Sequence, residues 1–268
     1  MINRFGLAVA GVAIASAVEW APSPAAAQTA SKSEAQMQAL IRAYPAALAG
    51  LDINAIIWKD GTRTLFDDGT PSKPIETLLA SPDLKDMFHW PYPWGRPGAP
   101  PLRNNDPGRV RNEAFFARIY GDCRKGEVVP QLVDVIWLPK TWGKAVKFTR
   151  TNGASDALAK VSAELDQLPA RFLEFLKPTG GAYNCRPIAG TRQISAHGFG
   201  IAIDINTKHS AYWRWTGADK GGLFPYRNAI PFEIVEIFEK HGFIWGGKWY
   251  HYDTMHFEYR PELLPRAP

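Results

Sequence analysis

The sequence predicts an α+β fold, with helices packed on a small, mainly antiparallel sheet and an extension at the N-terminal side. Three observations predict it. Apolar residues recur at helical spacing in several segments, as at Leu158, Val161, Leu165 and Leu168. Short apolar runs such as Ile201-Ala202-Ile203 and Phe243-Ile244-Trp245 have strand composition and strand length. The 22 Pro and 10 Trp point to many irregular connections and a rigid, aromatic surface, and they name no ligand.

The chain opens on Arg4 and the apolar stretch Phe5 to Val18, and Ala25-Ala26-Ala27 follow before Gln28. This is the form of an export signal covering residues 1–27, and the apolar run is too short to span a membrane. No second run of spanning length follows, so stable membrane insertion is not expected. Residues 28 to about 36 read as a loose leader. A helix is expected from Ser33 to Leu51, with Met37, Leu40, Ile41 and Leu48 roughly on one face. Ile56-Ile57-Trp58 and Thr64-Leu65-Phe66 flank Asp60-Gly61, the signature of a tight hairpin. Short helical pieces follow at 75–80 and 82–88.

Residues 89–107 are crowded with Pro, Gly and Trp, and a soft boundary is placed there. The expected organisation is therefore a signal (1–27), a leader and extension (28–109) and a C-terminal domain (110–268). In that domain a helix is read at 112–120 and strands at 131–138 and 145–150. Ser155 is the expected N-cap of the helix that carries Leu158 to Leu168. Pro169 opens a further helical segment, and 182–188 reads as a strand. Ile201 to Ile205 is a buried strand by composition. Pro231 to His241 is a helix closed by Gly242, and short strands are read at 243–245 and 256–259.

The formal net charge is +5, with basic residues dispersed along the chain. No Lys/Arg run marks a nucleic-acid site, while mild basicity suits an anionic cell wall or membrane surface. The two cysteines, Cys123 and Cys185, lack zinc-ribbon spacing. In an exported chain they are expected to form a disulfide.

Two stretches carry the chemistry. The first is Ser195-Ala196-His197-Gly198-Phe199-Gly200-Ile201-Ala202-Ile203-Asp204, and the second is Asp253-Thr254-Met255-His256-Phe257-Glu258. Together they offer two imidazoles and a carboxylate as metal ligands, with a second carboxylate three residues before the last imidazole. A catalytic zinc needs that set: three protein ligands, an open position for water and a nearby base. Asp204 ends an apolar run, where burial of its charge calls for a cation or an arginine.

The pattern Ser-x-His-x-x-Gly-x-Ala-x-Asp followed by acid-x-x-His resembles the zinc peptidases of family M15. These include D-alanyl-D-alanine carboxypeptidases and L-alanyl-D-glutamate endopeptidases. The resemblance covers about residues 183–259. It implies that His197, Asp204 and His256 bind Zn2+ at the sheet edge and that Asp253 is the catalytic base. Many carboxypeptidase members carry Glu at the base position, so Asp253 leaves open which bond is cut. An upstream arginine commonly polarises the scissile carbonyl. Arg186 is the candidate, with Arg192 as the alternative. Ser195, Arg192 and His251 are candidates for substrate contact. Glu258 either supports a ligand or forms a plain salt bridge. The loop of His209, Tyr212, Trp213 and Trp215 is a lid, a sugar-stacking surface or simple packing.

The implied activity is that of an exported zinc peptidase, periplasmic or extracellular, acting on peptidoglycan stem peptides as a carboxypeptidase or endopeptidase. One competing reading is a non-catalytic, zinc-stabilised wall-binding module, which would call for a closed four-ligand site. The other is a general secreted metallopeptidase, against which the absence of His-Glu-x-x-His counts.

Overall fold

The computed structural model describes residues 24–265. The apolar stretch read as an export signal lies outside them. Helix α1 (Pro24–Ala43) takes in the residues expected to be a loose leader, an Ala-rich segment of good helix formers. It also stops short of Leu51. Pro45 cannot donate an amide to a helical turn and disfavours helical geometry at Tyr44 before it. Leu48 therefore begins strand β1 (Leu48–Asp52) rather than ending a helix. Strands β2 (Ala55–Trp58) and β3 (Arg63–Leu65) form the expected hairpin around Asp60-Gly61, and β1 completes an antiparallel sheet in the order β1-β2-β3.

Helix α2 (Ile75–Ala80) and a single tight turn at Lys85–Phe88 match the short helical pieces. Helix α3 (Glu113–Tyr120) starts at Asn112, whose side chain accepts from the Phe115 amide at 2.9 Å. Strands β4 (Leu132–Trp137) and β5 (Lys144–Thr149) pair antiparallel. Helix α4 (Ala154–Leu165) is entered through Gly153 at φ +70°, not through a Ser155 cap. Ser155 is buried inside the first turn instead. Helix α5 (Leu173–Leu176) follows the Pro169 break.

Residues 182–188 do not form the expected strand. Their amides and carbonyls bond across a wrapped loop: Ile188 to Gln193, Ser195 to Arg186 and Asn184 to His197. Pro187, which lacks an N–H, sits in an isolated pairing with Ile194. Strand β6 (Ala202–Asp204), the single-turn helix α6 (Trp213–Thr216), helix α7 (Phe232–Lys240), and strands β7 (Phe243–Trp245) and β8 (His256–Tyr259) complete the chain. They give a third antiparallel sheet in the order β6-β8-β7. The fold is α+β with small antiparallel sheets.

One apolar core joins these parts. It runs from Met37, Leu40 and Tyr44 through Phe115 and Phe199 to Phe257. Residues read as an extension thus share the core of the C-terminal part. Phe238 of α7 stacks on Phe257 of β8 with ring centroids 3.8 Å apart, which seats the helix on the sheet. No helix among the described residues is long and apolar enough to cross a membrane.

Cys123 and Cys185 are disulfide-bonded, with Cα atoms 5.7 Å apart across 62 residues. The bond ties the start of the wrapped loop to the turn after α3. Closing a loop of that length stabilises the fold by about 4 kcal/mol through the unfolded chain. The double variant Cys123→Ser/Cys185→Ser is expected to lose about that much in urea unfolding, and an unchanged midpoint would contradict the assignment.

Candidate metal centre

Register brings two of the three candidate ligands together. In the β6-β8 ladder Asp204 lies directly opposite His256, so their side chains leave the same face. His197 reaches that face from a tight turn at Ala196–Phe199, closed by Gly200 at φ +69°. A Cβ at residue 200 would also stand 2.9 Å from Leu132 Cδ2, so glycine is required there on two counts.

The donor atoms converge. His197 Nε2 lies 3.2 Å from His256 Nδ1 and 3.3 Å from Asp204 Oδ1, and His256 Nδ1 lies 2.9 Å from the same carboxylate oxygen. Ligands about 2.0–2.1 Å from a tetrahedral ion stand about 3.3 Å apart, close to the observed triangle. Each imidazole is held by a hydrogen bond at the nitrogen that points away from the triangle. His197 Nδ1 donates to the Ala182 carbonyl at 2.5 Å, and His256 Nε2 donates to Glu258 Oε1 at 2.9 Å. Two nitrogen lone pairs and a carboxylate oxygen this close call for a shared cation or proton. The three residues form a group able to hold a metal ion.

Burial alone works against the charge of Asp204. The His197 and His256 rings outweigh it and hold that carboxyl well below the usual carboxylate range. Glu258 is likewise buried, yet Arg111, His256 and Arg260 keep it ionised with its pKa at about 2. Arg111 Nη1 meets Glu258 Oε1 at 2.5 Å, and Arg260 lies 3.5 Å from the other oxygen. Glu258 is two residues from His256 on one strand, hence on the same face. Glu258 thus both accepts from the candidate ligand His256 and forms a salt bridge with Arg111. If the group holds a metal ion, Glu258→Gln is expected to weaken its binding about 10- to 100-fold in competition with a chelating dye. Unchanged affinity would show that the ring needs no such support.

Asp253 occupies the remaining side. It precedes a turn in which the His256 amide donates to the Asp253 carbonyl at 3.2 Å, which brings both side chains to one cleft. Gly246 permits this, because a Cβ there would lie 2.5 Å from the Asp253 carbonyl oxygen. Asp253 Oδ1 is buried and has no hydrogen-bond partner among the described residues. Burial pushes its pKa up to about 7, with the nearby Asp204 carboxylate adding to the shift against the lowering effect of His256 and His197. An unpartnered, buried carboxylate oxygen beside three candidate ligand atoms is a group that gains from a nearby cation.

The cleft has a volume of about 360 Å³. Arg186 and Ser195 line it with the candidate ligands, and so do His251, Tyr212, Trp213 and Trp215. Arg192 does not. It lines a separate depression with Arg124 and Asn112. His209 packs on Phe175 outside the cleft, with ring centroids 5.3 Å apart. Sequence reasoning missed Asp106, Arg109 and Arg111. Arg109 and Arg111 reach the cleft wall from the end of the Pro-rich segment, where neither periodicity nor a motif marked them.

A model of M15 peptidases described as D-alanyl-D-alanine carboxypeptidase matches residues 189–259. No curated protein and no solved structure matches the chain. The matched span contains His197, Asp204, Asp253 and His256, and over it the chain is similar to the M15 peptidases.

Proposed function

We propose that this chain is an exported zinc peptidase that hydrolyses peptide bonds in peptidoglycan stem peptides. The observation that carries the reading is the meeting of His197 Nε2, Asp204 Oδ1 and His256 Nδ1 in one cleft with the unpartnered carboxylate of Asp253. Three ligands and a base favour an open catalytic site over a closed structural one. The N-terminal apolar stretch and the Cys123–Cys185 bond support an oxidising destination, periplasmic or extracellular.

His197, Asp204 and His256 would hold the ion, and Zn2+ suits two imidazoles and one carboxylate. Once bound, zinc supplies Lewis acidity toward the scissile carbonyl and lowers the pKa of its water toward neutrality. Asp253 takes the proton from the attacking water and returns it to the leaving amine, which suits a carboxyl whose pKa burial brings near neutrality. Arg186 stands on the cleft wall, among the described residues without a carboxylate partner, and stabilises the oxyanion. Ser195 and His251 position substrate. Arg192, away from the cleft, is left without that role.

Purified protein incubated with intact muropeptides, followed by mass analysis, tests the reading. Loss of a terminal alanine identifies a carboxypeptidase, and a severed crosslink or stem identifies an endopeptidase. Intact muropeptides after incubation with zinc would remove the reading.

A further inference from the structure

One charge in the cleft has no part in the mechanism above. Arg111 is spent on Glu258, and Arg186 is assigned to the scissile carbonyl. Arg109 remains. Its Nη1 donates to Asp106 Oδ2 at 2.7 Å, and the same oxygen accepts from His251 Nδ1 at 2.7 Å. The other oxygen of Asp106 accepts the His251 amide at 2.9 Å. Asp106 is only 1 % exposed, so one buried carboxylate fixes an arginine and a histidine side by side. Both line the cleft that contains the metal ligands. The other guanidinium N–H groups of Arg109 have no protein partner among the described residues. A guanidinium held through one Nη1 bond leaves its other N–H groups as a planar donor fork, the geometry that a carboxylate accepts. Asp204, Asp253 and Glu258 line the same cleft, where Arg111 and Arg186 offset part of their charge, so the free N–H groups of Arg109 are the donors left for an anionic group.

We propose that Arg109, held by Asp106 beside His251, forms a carboxylate subsite, and that the preferred substrate is a peptide whose carboxylate docks there. This rests on the peptidase reading and narrows its substrate class. The residues lie partly outside the matched span 189–259, so the subsite is built from the segment at 106–109 as well as from His251. The carboxylate is either the C-terminal one or that of an acidic side chain.

The test uses two pairs of otherwise identical stem peptides. One pair carries a free or amidated C-terminus, and the other a free or amidated acidic side chain. Hydrolysis is followed with zinc-loaded wild type, Arg109→Met and Arg109→Lys. Binding without turnover is followed by calorimetry in an Asp253→Asn background. Arg109→Met is expected to raise KM and Kd about 10- to 100-fold for the peptide bearing the docked carboxylate, and to leave its amide unchanged. Arg109→Lys, which keeps the charge, is expected to recover part of the loss. The pair that discriminates identifies the carboxylate. Equal effects on acid and amide in both pairs would overturn the subsite while hydrolysis itself stands. Discrimination in binding without hydrolysis by wild type would overturn the peptidase reading and keep the subsite.

Discussion

Asp253→Asn is expected to lower kcat on muropeptides about 10²- to 10⁴-fold while the zinc content of the protein stays unchanged. The amide fills the same space but cannot take a proton from water or hand it to a leaving amine. Asp253 is not among the three converging ligand atoms, so metal binding should survive. Stability should move the other way. The carboxyl has its pKa raised from 3.8 to about 7 in the folded chain, mainly by burial. The folded state therefore binds this proton more tightly than the unfolded state. In the metal-free protein the group costs stability as pH rises through that window, and the cost persists above it. Asn removes that cost, so metal-free Asp253→Asn should melt no lower than wild type at pH 8. Rates by mass analysis, metal content and thermal unfolding check the three parts. Wild-type turnover in the variant would remove Asp253 from the base role.

His197→Ala is expected to abolish both zinc retention and hydrolysis. The ring supplies one corner of a triangle whose sides are 2.9 to 3.3 Å, and two remaining ligands make a poor site. Zinc should raise the melting temperature of wild type, because it binds the folded chain, and leave that of the variant unmoved. Its own hydrogen bond to the Ala182 carbonyl is also lost, so a modest fall in baseline stability is expected. The informative comparison is therefore the shift that zinc produces. An equal shift in both proteins would place the ion elsewhere.

The site was legible in the sequence where chemistry and strand geometry coincide. Asp204 and His256 end and begin short apolar runs, and such runs pair. The Gly198 and Gly200 spacing signalled the turn that brings His197 to them. Ser155 misled because a glycine two residues earlier takes the left-handed step into α4, which makes a side-chain cap unnecessary. Residues 182–188 have strand composition, but Pro187 and the wrapped loop send their backbone bonds elsewhere. Arg109 and Arg111 were invisible for a different reason. Their roles come from contacts with His251, through Asp106, and with Glu258, more than a hundred residues away, and no local pattern encodes such a contact.

The most direct measurement is a zinc titration of chelator-treated protein, with muropeptide cleavage read by mass analysis at each addition. Cleavage should be absent in the stripped protein, rise in proportion to added zinc and level off at one equivalent. Full cleavage by the stripped protein, or stoichiometric zinc uptake that restores none, would contradict a catalytic metal at His197, Asp204 and His256.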